Sequence, residues 1–193
     1  AATHSTSTWK TLSDTTLQKL MIPSIKKSIT TNDKNTYDFH LYLAADHDDA
    51  FWLKNKGKIQ VPYWLSLHFH FFTVPLHKIP FNQMMRKAYD DGAEYMVRIN
   101  DDSQFITSNW VSTAVKTLAS YDPPNVGMVG PNCKEGNTGI MTHDMVHRTH
   151  LKIFPHYYPD VFSAWYVDDW ITHVYGQERS TKIMNWLIKH HVN

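Results

Sequence analysis

The sequence predicts an α/β domain with a mixed, mostly parallel central sheet flanked by helices. Three observations carry that expectation. Stretches with period-2 apolar alternation recur between stretches with helical spacing. Strand-like stretches run directly into acidic clusters, as they do where open sheets hold ligands. The 193 residues, 42% of them hydrophobic, suffice for one sizeable core. Domains ordinarily span about 100–150 residues or somewhat more, so residues 1–193 read as a single domain.

From Leu12 to Ile29 the apolar residues Leu17, Leu20, Met21 and Ile25 recur at helical spacing. Pro23 lacks an N–H and is expected to break or kink that helix. Asp38 to Ala44 puts Phe39, Leu41 and Leu43 on one face of a strand that delivers Asp46, His47, Asp48 and Asp49. Ile59 to Val74 is aromatic and extended, restricted by Pro62 and Pro75, with His68 and His70 on one side of an irregular strand. Pro80 suits the first position of a helix whose apolar stripe is Phe81, Met84, Met85, Ala88 and Tyr89. Gly92 suits the position just past its end.

Tyr95 to Ile99 is a short strand that carries Asn100, Asp101, Asp102 and Ser103 to its carboxyl end. A helix over Asn109 to Ser120, capped by Ser108, precedes a turn at Asp122-Pro123-Pro124-Asn125 and a strand at Val126-Gly127-Met128-Val129. A further helix begins near Trp170, and Asn185 to His191 forms a strand ending in two histidines.

Composition excludes several partners. A formal net charge of +1, from 19 basic and 18 acidic residues, provides no field for nucleic acid or an anionic membrane. No apolar run approaches the ~20 residues of a membrane-spanning helix. The single cysteine, Cys133, cannot close an internal disulfide, so a secretory lumen and the cytoplasm are equally compatible with the sequence. Thirteen histidines and 13% aromatic residues instead favour metal and sugar chemistry.

Three constellations could carry that chemistry. Asn100-Asp101-Asp102 stands at a strand end, where a carboxylate can share a divalent cation with phosphate oxygens; paired Asp also occurs in ordinary turns. Trp165-Tyr166-Val167-Asp168-Asp169-Trp170 brackets two acids with aromatics. Aromatic faces bind sugar rings, and a partly desolvated carboxylate gains basicity. The structural alternative makes Trp165 and Trp170 core residues and the acids helix caps. His190 or His191 could complete a metal site begun by Asp102. His143, His147 and His150 have no zinc-site spacing and read as pocket lining or acceptor-side residues.

The order of these pieces, from about Tyr37 to His191, resembles the GT-A glycosyltransferases, whose fold is Rossmann-type. N-acetylglucosaminyltransferases of that class carry an E-D-D motif and, downstream, an aromatic-flanked D-D-W. The similar stretches here are Asn100-Asp101-Asp102 and Val167-Asp168-Asp169-Trp170. The resemblance implies a sugar transferred from a nucleoside-diphosphate sugar, UDP-sugars foremost, to a hydroxyl of a glycan, protein or small molecule, with inversion. It implies Mn²⁺ or Mg²⁺ at Asp102, and Asn100 or Asp101 on the ribose or a metal-bound water. Asp46 would meet the nucleotide base, Asp168 would act as the base with Asp169 competing, and Trp165, Tyr166 and Trp170 would contact acceptor or sugar.

Two departures stand beside the resemblance. Asn100 replaces an acid, and no opening strand is legible before Leu12, so the chain reads either as a fragment of a larger protein or as a domain lacking its first strand. The residues also admit two other functions, a divalent-metal phosphohydrolase and a non-catalytic carbohydrate-binding domain.

Overall fold

Alternation and capping form the elements largely where the pattern is strongest. In the computed structural model, which describes residues 1–73, 75, 78–135, 137–163 and 165–191, the strands are β1 (Phe39–Asp46), β2 (Leu65–Phe72), β3 (Tyr95–Arg98), β4 (Ser103–Phe105), β5 (Met128–Cys133), β6 (Asp144–His147) and β7 (Ser180–His190). The α-helices are α1 (Ile22–Ser28), α2 (Thr31–Thr36), α3 (Ala50–Asn55), α4 (Phe81–Asp90), α5 (Trp110–Ala119), α6 (His150–Ile153) and α7 (Val167–His173).

The long helix expected over Leu12 to Ile29 is divided into a 3₁₀ turn at Leu12–Asp14, a π-helical stretch at Leu17–Met21 and α1, with Pro23 in the first turn of α1. Pro23 removes one donor from this continuous helical run, and the widened π-helical turn just before it is where the chain accommodates the loss. Pro80 stands at the N-cap of α4 rather than inside it, and Gly92 beyond its end has φ 97°, a conformation that costs glycine little. The cap of α5 is Asn109, at φ 63°, instead of Ser108. β2 begins at Leu65, well after Ile59, because the chain first turns at Tyr63–Trp64; Val74 lies outside the described residues.

The sheet corrects the expectation of a mostly parallel, Rossmann-type centre. β1 and β2 form a separate parallel pair. The main sheet has five strands in the order β3-β6-β5-β7-β4, is mostly antiparallel, and curls strongly into a half-barrel. Only β5 and β7 run parallel within it. Connections explain the directions. Parallel neighbours need a crossover of a dozen residues or more, which α3 supplies between β1 and β2, whereas β5 returns to β6 without a helix and therefore pairs antiparallel. The curl has a local cause in β7: its pairing with β5 jumps from Pro131↔Ile183 to Asn132↔Leu187, a bulge that bends the strand.

Alternation along the strands feeds two apolar layers. Val97, Val129 and Met145 face a cluster that contains α1 and α5 residues and the stacked pair Trp110–Trp186, ring centroids 4.7 Å apart. Met96, Met128 and Val146 face the other layer, with Met84 and Met85 of α4, Tyr157, Tyr158 and Ile171. Among the described residues no helix is long and apolar enough to cross a membrane.

Candidate active site at the carboxyl end of β3

β3 ends in a tight turn, closed by the Ser103 N–H donating to the Asn100 carbonyl at 3.1 Å, and β4 then pairs with the end of β7 so that Ser103 lies opposite His190. This register brings the tail histidines to the Asn100-Asp101-Asp102 turn. His190 Nε2 stands 3.0 Å from Asp102 Oδ1 and 3.2 Å from Asn100 Nδ2. The approach to Asp102 lacks hydrogen-bond directionality, so Oδ1 is buried without a hydrogen-bond partner among the described residues. His191 turns to the other face of the strand, as successive residues do, and its Nε2 meets Gln104 Oε1 at 2.9 Å. Of the two tail histidines, His190 is the one the fold places at Asp102.

Asp101 points elsewhere. Thr3 donates to its Oδ2 at 2.6 Å and Thr16 at 3.4 Å, and burial pushes its carboxyl up to about 6. Asp46, at the end of β1, has its Oδ2 3.2 Å from Nδ1 of exposed His4. Residues Thr3 and His4 thus run between the acidic ends of β3 and β1.

Beneath the turn lies a buried polar layer. His143 Nε2 meets Ser103 Oγ at 2.7 Å, and its ring stands edge-on to His190 with centroids 5.2 Å apart. Burial, with the Arg98 and His190 charges adding, holds the His143 pKa well below the usual imidazole range, so the ring is neutral. Gly130 of β5 permits this approach, because a Cβ there would lie 2.6 Å from the His143 carbonyl oxygen.

Arg98, the last residue of β3, is buried and gives every part of its guanidinium to a partner. Nε donates to Asp144 Oδ1 at 3.0 Å and to Tyr158 Oη at 2.8 Å, and Nη1 donates to the Thr142 carbonyl at 2.7 Å. Nη2 donates to Asp168 Oδ1. Asp144 is fully buried beside Arg98 in the β3–β6 register and also accepts from the Tyr157 and Tyr158 hydroxyls.

Asp168 occupies the first turn of α7 behind Tyr166, whose φ of 70° is a left-handed conformation that a bulky residue adopts only at a cost. Burial raises the Asp168 pKa; Arg98 opposes that rise without cancelling it. Asp169 is exposed on the same turn. Trp165 and Tyr166 are 77% and 69% exposed, while Trp170 is partly buried, edge-on to Phe154 at 5.2 Å. The aromatic bracket therefore has two functions: its first half faces solvent and its last residue packs.

The structure links the Asp102 and Asp168 constellations through Arg98, to which the sequence assigned no role, and through His143, which is fully buried in this polar layer and does not line a pocket as expected. Arg98 joins Asp168 to β3, and His143 joins β6 to Ser103 and His190. One signal was available: Arg98 is a charge inside an apolar strand, which requires a buried counter-charge, although nothing in the sequence says that Asp144 and Asp168 supply it.

Asp102 and His190 suit a divalent cation of the Mg²⁺ or Mn²⁺ type. The two side chains bring one carboxylate oxygen and one imidazole nitrogen to 3.0 Å, a donor pair that would hold such an ion. An unpartnered buried carboxylate oxygen supplies the charge. Among the described residues no three His, Cys, Asp or Glu side chains converge on one metal position. No protein-family model matches the sequence, and no curated protein matches it.

Proposed function

We propose that this chain is an inverting, metal-dependent glycosyltransferase that moves a sugar from a nucleoside-diphosphate sugar, a UDP-sugar in the first instance, to a hydroxyl acceptor. The observation that carries the reading is the pairing of His190 with the buried oxygen of Asp102 at the carboxyl end of β3. Bound there, Mn²⁺ or Mg²⁺ supplies charge for the departing diphosphate.

The chain's own residues do the rest. Asp168 takes the proton of the acceptor hydroxyl at Oδ2, since Arg98 holds Oδ1 and fixes the carboxylate plane. Its raised pKa makes it a stronger base than an exposed aspartate. Neutral His143 orients Ser103 and the turn without adding charge that would repel the cation. Asn100 takes the ribose contact in preference to Asp101, whose carboxylate is committed to Thr3 and Thr16. Asp46 meets the nucleotide base. The cleft of about 280 Å³ bordered by Lys78, Asn82, Tyr158 and Val167 adjoins α7, with Trp165 and Tyr166 as exposed aromatic surfaces for the acceptor.

The test is calorimetric titration of UDP with Mn²⁺ and again with chelator. The expected result is metal-dependent binding with a dissociation constant in the micromolar range, about 8 kcal/mol. Failure of UDP and other nucleoside diphosphates to bind under both conditions overturns the reading, and a product that retains the donor's anomeric configuration overturns inversion.

A further inference from the structure

Between β1 and β3 the structure holds a strand-shaped vacancy bordered by the first residues of the chain. Ala2 bridges Ala44 of β1 and Asn100 beyond β3, in the parallel sense on both sides. The Ala1 nitrogen donates to the Tyr42 carbonyl at 2.6 Å, Ala44 N–H to the Ala1 carbonyl at 3.0 Å, and Thr3 N–H to the Ala44 carbonyl at 2.8 Å. These bonds are the end of a regular parallel ladder. Toward the amino ends of β1 and β3 the ladder stops, and a slot of about 500 Å³ opens.

The slot passes through the plane of the strands. Leu41 and Tyr42 line it from β1, Met96 and Val97 from β3, Met84 from the layer on one face and Val111 from the layer on the other. β1 and β3 each use the opposite edge, for β2 and β6. Alternate residues of a strand turn their N–H and C=O to the same side. Because Tyr42 and Ala44 turn theirs to Ala1–Thr3, the Tyr42 N–H and both peptide groups of His40 face the slot. A strand edge left open in this way is a template for a further strand.

We propose that the slot receives one extended polypeptide strand, parallel to β1 and β3 and ending at Ala1. Its side chains meet apolar layers on both faces, with the acids Asp38, Asp91 and Glu94 also in the lining, so the strand it fits is a run of Val, Ile and Leu without acidic residues. Four residues span about 13 Å at 3.3 Å each, the length of Phe39 to Tyr42. The proposal is independent of the glycosyltransferase reading, and its readouts do not involve nucleotide or metal.

The probe is an acetylated, amidated Val/Ile-rich hexapeptide added to the full chain. In a second arm the same six residues are fused ahead of Ala1, which raises their effective concentration to the millimolar range or above, on the order of what short linkers give. Amide exchange at His40, Tyr42 and Val97 is expected to slow at least about tenfold in one arm or both, with a rise in Tm. The same peptide with Asp at its third position, and a Gly/Ser fusion, are expected to have no effect. If the apolar strand in both arms protects no more than these controls, the proposal fails.

Discussion

His190 Nε2 stands 3.0 Å from Asp102 Oδ1, joining the end of β7 to the turn after β3. Neither residue alone is a metal site; the antiparallel pairing of β4 with β7 makes them a pair of donors. Asp102→Ala and His190→Ala are each expected to weaken Mn²⁺-dependent UDP binding at least about tenfold, or about 1.4 kcal/mol. His191→Ala, which loses only the Gln104 contact, should leave binding unchanged. Calorimetry on the three variants decides this, and equal loss in the two histidine variants would sink the assignment.

Arg98 is the structural hinge between the two acidic clusters. Its removal leaves Asp144 buried beside two tyrosines without its cation, and breaking such a buried pair typically costs about 3–5 kcal/mol. Arg98→Met is expected to lose that much stability in urea denaturation. Asp168→Asn should lose much less, because that side chain is 27% exposed and solvent screens its ion pair. Adding Asp144→Asn to Arg98→Met should recover part of the loss, since no unpaired charge then remains buried.

Asp101 gives stability a pH dependence opposite to that of most carboxylates. Burial raises its folded pKa to about 6, above the ordinary 3.8, so the native state holds its proton more tightly than the unfolded state does. Its contribution is favourable below about pH 4 and is lost as pH rises toward 6, by about 3 kcal/mol at 1.36 kcal/mol per pKa unit. Neutral His143 acts on the other side: its folded pKa is depressed, so stability is lost as pH falls below the ordinary 6.5. Asp101→Asn is expected to flatten the decline of stability between pH 4 and 6, measured as ΔG from urea titrations across that range. An unchanged slope would show that Asp101 does not titrate there.

What could be read in the sequence was local. Phe39, Leu41 and Leu43 announced β1, and the stripe from Phe81 to Ala88 followed by Gly92 announced α4, because side-chain periodicity and φ preference are properties of neighbouring residues. Strand direction is not such a property. Whether β6 lies antiparallel between β3 and β5 depends on how the chain returns after Cys133, and Met145 and Val146 are both buried, so β6 shows no alternation to reveal it. The site divides in the same way. Asp102 and Asp168 stood out as acids after a strand and among aromatics, but Arg98, Asp144 and His143 owe their roles to the β3–β6 pairing and to Gly130's close approach, which no local pattern encodes.

Trp165 and Trp170 separate recognition from packing within one short segment. Trp170 lies edge-on to Phe154 at 5.2 Å and to Tyr158 at 6.3 Å, inside the layer that also supports Arg98. Truncating a packed Trp to Ala costs about 3–5 kcal/mol, and partial exposure places Trp170→Ala at the lower end of that range. Trp165 is 77% exposed and has little packing to lose, so Trp165→Ala should leave Tm within about 2 °C, as surface substitutions within about 0.5 kcal/mol do. If Trp165 is an acceptor surface, its loss raises the acceptor KM severalfold while the donor's affinity stays constant, since the donor site proposed at Asp102 is built from other residues. A stacking contribution of about 1 kcal/mol corresponds to roughly a fivefold change. Steady-state kinetics with acceptor and donor varied separately, beside a thermal melt of each variant, distinguishes the outcomes. An unchanged acceptor KM in the fully folded Trp165→Ala variant would remove Trp165 from the acceptor site.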